Sequence, residues 1–294
     1  MSAHRSGMVA LAGRPNVGKS TLANALSGTH VAAVSPRPQT TRRRLAVAVH
    51  GDGWQAVLLD IPGFQTPRDA LTRRMQQTVD STLSDCDAAI FMVNAAEPVG
   101  GGDRFIAERL VAAKLPVIVV VNKVDEVDPQ RIAETIAIVS QLVPDMVALH
   151  PVSALSGDGL DALMTELPDL LPEGPPYFPP GMTTDQTMEE LAAELIREAA
   201  LVRLREEVPH AMAVQIEEIT PTRDGIRIDA VIYVENNSQK GIVVGKAGSM
   251  IRDIGSAARR ALGVAWGAEV HLSLMVKVRR KWREDESMLT RLGL

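Results

Sequence analysis

The chain has 294 residues, 46% of them hydrophobic, with a net charge of −5 and one cysteine. That length fits two domains with substantial cores, and no apolar run approaches the ~20 residues that span a bilayer. Cys86 has no cysteine partner, which excludes an internal disulfide and suits a reducing cytosol; with no histidine nearby it reads as a small core filler. The apolar part of MSAHRSGMVALAG is too short for a signal peptide, which implies a cytoplasmic protein.

GMVALAG (Gly7 to Gly13) is an apolar run of the kind a buried parallel strand makes. It leads into GRPNVGKS (Gly13 to Ser20), which fits G-x-x-x-x-G-K-[ST], the phosphate-binding loop. Gly13 and Gly18 permit backbone angles that other residues resist, and both allow close approach to an anion. The loop through Arg14, Pro15, Asn16 and Val17 wraps the phosphates, Lys19 supplies a fixed positive charge, and Ser20 offers a hydroxyl to Mg²⁺. Thr21 completes the binding set. STLANALSG (Ser20 to Gly28) then reads as a helix with Leu22, Ala25 and Leu26 on one face and a glycine stop.

PQTTRRR (Pro38 to Arg44) is a polar loop after that helix. One of its threonines, Thr41 in preference to Thr40, is expected to complete the Mg²⁺ shell when a nucleoside triphosphate is present. Arg42, Arg43 and Arg44 fit a solvated charge run and an RNA contact equally well. AVLLDIPG (Ala56 to Gly63) is a second buried strand ending in a D-x-x-G motif, Asp60-Ile61-Pro62-Gly63. Asp60 suits the metal end of the site through water, and the Gly63 amide can touch the γ-phosphate. Lys19, Thr41, Asp60 and Gly63 are therefore the expected catalytic set. Phe64 stands where a water-positioning glutamine commonly follows, and Gln65 comes one place too late, so slow intrinsic hydrolysis is expected.

AAIFMVNA (Ala88 to Ala95), PVIVVVNK (Pro116 to Lys123) and MVALHPVSA (Met146 to Ala154) read as further buried parallel strands. Leu71–Leu83, Asp103–Lys114 and Pro129–Leu142 read as the helices between them. The alternation predicts a doubly wound α/β domain with ligands at the carboxyl ends of its strands. NKVD (Asn122 to Asp125) follows the strongest strand run. An aspartate there accepts from both N1–H and the 2-amino group of guanine, which adenine cannot offer, so the nucleotide is GTP; a buried carboxylate of this kind rejects the wrong base by ~10⁴-fold or more. Asn122 would brace the loops, Lys123 would pack its stem over the base, and Ser153 and Ala154 of VSA would present a backbone amide to the guanine carbonyl.

EGPPYFPPG (Glu173 to Gly181) holds four prolines and two glycines in nine residues and reads as a semi-rigid linker. Beyond it, residues 185–206 pattern as one long amphipathic helix, and AMAVQIEEIT and IRIDAVIYVE as two strands joined at PTRDG. QKGIVVGKAGSMIRDIGSAARRALG patterns as two helices meeting at GKAG, AEVHLSLMVKVRR as a last strand, with room for a final helix. This is a separate α+β module. Residues 236–283 hold ten basic residues against Asp253 and Glu269, a local balance of +8 concealed by the acidic total.

The set GRPNVGKS, QTTRR, DIPGF, NKVD and VSA, followed by a linker and a module carrying VVGKAGSMIR, resembles the Era family of bacterial GTPases with a C-terminal KH domain. The first five motifs mark a GTPase superfamily; the KH-like module behind one GTPase domain makes the likeness specific, and it covers essentially the whole chain. It implies an α/β doubly wound P-loop GTPase domain (1–173), a Pro/Gly-rich linker (174–181) and a smaller α+β type II KH domain (182–294). It further implies a Mg²⁺-dependent GTPase yielding GDP, which binds the 3′ end of small-subunit ribosomal RNA during small ribosomal subunit assembly. Such a protein is a cytoplasmic monomer, and family members also associate with the inner membrane surface. In related GTPases an asparagine at the place of Asn16 helps hold K⁺ where an arginine finger would stand. A KH fold grips about four nucleotides with a GxxG loop, here Gly245-Lys246-Ala247-Gly248; the family more often has two basic residues between the glycines, so Ala247 bears on grip strength. Arg252, Arg259, Arg260, Lys277, Arg279, Arg280 and Lys281 would extend the positive surface. The competing readings are a constitutive RNA-binding module whose GTPase domain only stabilises it, and a membrane-peripheral signalling GTPase with no RNA role, because the same charge suits anionic lipid.

Overall fold

The computed structural model describes residues 4–35, 40–64 and 67–294, in which the first half alternates strands and helices. The elements are β1 (Arg5–Gly13), α1 (Lys19–Ser27), β2 (Leu45–Gly51), β3 (Trp54–Asp60), α2 (Ala70–Ser84), β4 (Ala88–Asn94), α3 (Gly101–Ala113), β5 (Val117–Asn122), α4 (Pro129–Leu142), β6 (Ala148–Val152) and α5 (Leu160–Glu166). The second half follows as α6 (Met188–Arg203), α7 (Val208–Ala211), β7 (Ala213–Thr222), β8 (Gly225–Val234), α8 (Asn237–Val244), α9 (Ser249–Trp266), β9 (Val270–Val278) and α10 (Glu286–Arg291). The chain forms two units, the second comprising Gln186–Leu294 together with Ala33–Thr40 and Pro67–Arg74.

In the first unit the strands lie in the order β2-β3-β1-β4-β5-β6, with β2 antiparallel to β3 and the other neighbours parallel. The central strands β4 and β5 are buried at every position, and alternate side chains of the sheet feed two cores. Ile90 and Met92 enter one; Ala89, Phe91 and Val93 enter the other. The chain runs from β1 out to β2 and β3 on one side and returns through α2 to β4 on the other, so the strand order reverses at β1. That is the topological switch point of the sheet, where open α/β folds bind ligands beyond the strand carboxyl ends.

Helix α1 turns Leu22 and Ala23 inward and leaves Ala25 exposed, a rotation from the expected apolar face. Strand β2 and helix α5 are absent from the elements read in the sequence: β2 follows directly on a basic loop at the sheet edge, and α5 has only seven residues. The stretch after α5 lies along the first unit. Ser6 Oγ donates to Pro175 O, and Gln55 both donates to Phe178 O (2.9 Å) and accepts from the amides of Tyr177 (2.7 Å) and Phe178 (2.9 Å).

The second unit is a three-stranded sheet, β7-β8-β9, antiparallel between β7 and β8 and parallel between β8 and β9. Parallel pairing requires a crossover, which α8 and α9 supply. Helix α9 presents Ile254, Ala258 and Leu262 to the core at four-residue spacing, against Leu195 and Ile196 of α6 and Ile228 and Ile232 of β8. Helix α6 is shorter than 185–206 because Thr187 starts it: its side chain accepts from Glu190 N (3.2 Å) while Glu190 accepts from Thr187 N (3.0 Å). Trp282 is fully buried and its indole N–H donates to Ala211 O at 2.8 Å.

Candidate functional site

The phosphate loop leaves β1 at Gly13, and α1 begins immediately after Gly18, whose φ of 102° is open to glycine. A Cβ at Gly18 would also lie 2.2 Å from the Asn122 amide nitrogen. Asn16 is left-handed as well, at φ 65°, which asparagine tolerates better than most side chains. Lys19 is buried, and its ammonium donates to Gly13 O and Arg14 O, both at 3.2 Å. Burial pushes its pKa below the ordinary 10.5, and Asp60 offsets part of that shift. Arg14 joins the loop through its backbone; its guanidinium meets Asp103 at 2.9 Å and Glu97 at 3.0 Å.

Three oxygen-bearing side chains from separate segments converge beside Lys19. Ser20 Oγ donates to Asp60 Oδ2 at 2.6 Å, Thr41 Oγ1 lies 3.1 Å from the same oxygen, and the two hydroxyls are 3.0 Å apart. Thr40 does not join them: its hydroxyl is directed at Ser35 O, 3.5 Å away. Two hydroxyls and a carboxylate are hard oxygen ligands, a donor set that fits Mg²⁺. Ile61 and Pro62 are buried behind Asp60, and Gly63 passes so close to Pro15 that a Cβ would lie 2.9 Å from its ring. Phe64 is buried, edge-on to Phe105 with centroids 6.3 Å apart, so position 64 packs into the core. Pro38, Gln39 and Gln65 lie outside the described residues.

Asn122, nearly fully buried, ties three segments together. Its amide donates to Val17 O at 2.7 Å, and its carbonyl accepts from Ala154 N at 2.9 Å. Lys123 follows in a left-handed conformation, and Ser153 is buried with its hydroxyl accepting from Ser156 N at 3.1 Å. Asp125 is exposed, contrary to the burial expected from the motif, so a ligand covering it must supply the desolvation on which base selection depends. Thr21 is half-buried at the start of α1. Arg42 is buried, so at that position the arginine run is neither a solvated face nor open to RNA. Cys86 is inert: burial, then Asp87 and Asp85, push its thiol up to about 12.

In the second unit, GKAG forms a tight exposed turn between α8 and α9. Gly245 has φ 74° and a Cβ there would lie 2.7 Å from Met250; Gly248 has φ 76°, and even Ala247 is left-handed at φ 50°. Lys246 is exposed at the start of α9, whose outer face carries exposed Arg252, Arg259 and Arg260. These four cations pair with no carboxylate among the described residues. Two other expected cations are engaged: Lys277 meets Glu217 at 3.0 Å and Arg279 meets Asp285 at 2.7 Å. Arg280 and Lys281 are exposed. Arg259 and Arg260 share α9's outer face with Arg252, a placement that follows from helical spacing once the core stripe is known.

A switch-point phosphate loop, a hydroxyl–hydroxyl–carboxylate cluster and a braced Asn-Lys-x-Asp loop define a P-loop GTPase domain, and the GxxG crossover beside a three-stranded sheet defines a KH domain. Family descriptions agree: "50S ribosome-binding GTPase" matches residues 8–123 and "KH domain" matches residues 207–283. The chain belongs to the Era family of GTPases. It is similar to GTPase Era of Mycobacterium avium (strain 104), at 45% identity over 298 residues and 100% of both chains. It is likewise similar to GTPase Era of Mycobacterium sp. (strain KMS), at 46% identity with both chains covered in full. A crystal structure of Era in complex with MgGDPNP and nucleotides 1506–1542 of 16S ribosomal RNA superposes with a TM-score of 0.94, 37% identity and 99% of each chain covered. A tyrosine-to-alanine variant of Aquifex aeolicus Era bound to GDP·AlF₄⁻ gives 0.94 at 37% identity, covering 98% of this chain and 99% of that one. No helix among the described residues is long and apolar enough to cross a membrane.

Proposed function

We propose that this protein binds and hydrolyses GTP and, through its KH domain, binds the 3′ end region of small-subunit ribosomal RNA during assembly of the small subunit. The observation that carries the reading is the convergence of Ser20, Thr41 and Asp60 within 3.1 Å beside a buried Lys19. The chain also presents an exposed GKAG turn beside a row of exposed cations, and a solved relative holds MgGDPNP and 16S ribosomal RNA nucleotides.

Ser20 and Thr41 would ligate Mg²⁺ directly and Asp60 through water, and the ion when bound neutralises phosphate charge. Lys19 stabilises negative charge on the outer phosphates, and the loop from Gly13 to Thr21 positions them. Gly63 offers its amide to the γ-phosphate, with Asp60, Ile61 and Pro62 setting its place. Asn122, Lys123, Asp125, Ser153 and Ala154 hold guanine. Because Phe64 is packed into the core, no glutamine at that position orients water, so intrinsic turnover is slow; Asn16 would help hold K⁺, which would supply the missing positive charge. Gly245, Lys246, Ala247 and Gly248 clamp the RNA backbone, with Arg252 and Arg280 adding phosphate contacts; Lys277 and Arg279 join only on leaving their carboxylates. The division of labour is 1–173 for nucleotide, 174–181 as linker and 182–294 for RNA, in a cytoplasmic monomer with peripheral contact to the inner membrane surface.

The test replaces Lys246 and Ala247 with aspartates, keeping both glycines. RNA affinity should collapse and its salt slope flatten, while stability shifts by only about 0.5 kcal/mol and GTP hydrolysis by the free protein survives. Retained RNA affinity with a lowered melting temperature would make the turn a helix connector and refute the reading.

A further inference from the structure

Asp103 is fully buried in α3, and each of its oxygens has one task. Oδ2 accepts from Gly100 N at 2.8 Å, capping the helix, while Oδ1 accepts from Arg14 Nε at 2.9 Å. A carboxylate so completely removed from water needs a counter-charge, and the Arg14 guanidinium provides it. Gly102 makes the approach possible, because a Cβ there would lie 2.8 Å from Arg14 Cδ. A second carboxylate, Glu97, flanks the same guanidinium at 3.0 Å. The side chain of Arg14 is thus fixed from outside the loop by the start of α3.

That fixation reaches the chemistry through the backbone of the same residue. The Arg14 carbonyl is one of two acceptors that hold the buried Lys19 ammonium, at 3.2 Å, the other being Gly13 O at 3.2 Å. Gly13 O follows from the strand register, whereas Arg14 O lies one residue out in the loop, where strand pairing no longer holds the backbone. We infer that Asp103 is a positioning residue for GTP hydrolysis: by anchoring Arg14 it fixes the carbonyl that aims Lys19 at the outer phosphates. This rests on the reading of Lys19 as the phosphate-neutralising group. A catalytic cation displaced by a fraction of an ångström loses much of its preorganised stabilisation of transition-state charge.

The two roles of Asp103 separate experimentally, because Asp103→Asn keeps a carbonyl oxygen for the helix cap and removes the buried charge that holds Arg14, leaving only the half-exposed Glu97. Steady-state GTP hydrolysis is measured for Asp103→Asn, Arg14→Met and the double variant in the full-length protein, with melting curves alongside. Each single variant should lower kcat roughly tenfold, and the double variant should be no slower than the slower single one, since both changes break one linkage. Arg14→Lys keeps a counter-charge for Asp103 and so preserves folding if Arg14→Met does not; its kcat should fall between wild type and Asp103→Asn. A kcat within twofold of wild type for Asp103→Asn, or losses that multiply in the double variant, would leave Asp103 a helix cap and overturn the inference. Lys19→Ala is the control: hydrolysis surviving in that variant would refute the role of Lys19 itself.

Discussion

Asn122→Ala should weaken both stability and nucleotide binding. The side chain is nearly fully buried and joins Val17 O (2.7 Å) in the phosphate loop to Ala154 N (2.9 Å) after β6. Truncation leaves a buried carbonyl and a buried amide unpaired, each costing about 1–3 kcal/mol, or roughly 2–6 kcal/mol together. For a unit of this size, about 2–4 °C per kcal/mol, the first unit should melt roughly 4–24 °C lower without nucleotide. Because the same two groups shape the phosphate and guanine loops, GDP affinity should fall as well. Asn122→Asp separates the two bonds: it keeps an acceptor for Ala154 N but sets a carboxylate against Val17 O, so it should not restore the wild-type protein. The assay is thermal melting with and without GDP, together with titration of nucleotide binding. Weakened GDP binding with melting of the free protein unchanged would refute the bracing argument and make Asn122 a ligand contact only.

Asp125→Asn should weaken GTP binding and admit xanthine nucleotides, because the new amide donates to the xanthine 2-oxo group; unchanged GTP preference in titrations would remove Asp125 from the guanine site. Hydrolysis should run faster in K⁺ than in Na⁺ buffer, and Asn16→Ala should abolish the difference, whereas equal rates in both salts would leave Asn16 a loop residue. Burial lowers the Lys19 pKa from 10.5, so the unfolded chain holds the proton more tightly and the nucleotide-free protein should gain stability from this group as pH rises from the lowered value toward 10.5. Bound phosphates favour the charged form, so nucleotide affinity should fall over that alkaline window, with proton uptake on binding detectable by calorimetry in buffers of different ionisation heat. Affinity that stays flat with pH would separate Lys19 from the phosphates.

Elements whose chemistry is local can be read from the chain alone. A phosphate loop needs its glycines, lysine and serine within eight consecutive residues, and buried parallel strands are apolar on both faces, so their runs stand out without any knowledge of the fold. GKAG and the helical stripe of α9 are legible for the same reason, since a turn and a 3.6-residue period are properties of neighbouring residues. Whatever depends on which faces meet required the folded molecule. That the Thr41 hydroxyl reaches Asp60 and Ser20, residues from two other segments, is visible only in the folded chain. Arg42 is buried while Arg44, two positions on, is exposed, and Lys277 and Arg279 are engaged by Glu217 and Asp285, so a sum of charges overstates the surface left for RNA. The pairing of Arg14 with Asp103 spans 89 residues and obeys no sequence period; it exists because β1 and β4 are adjacent in the sheet and bring the phosphate loop beside the start of α3.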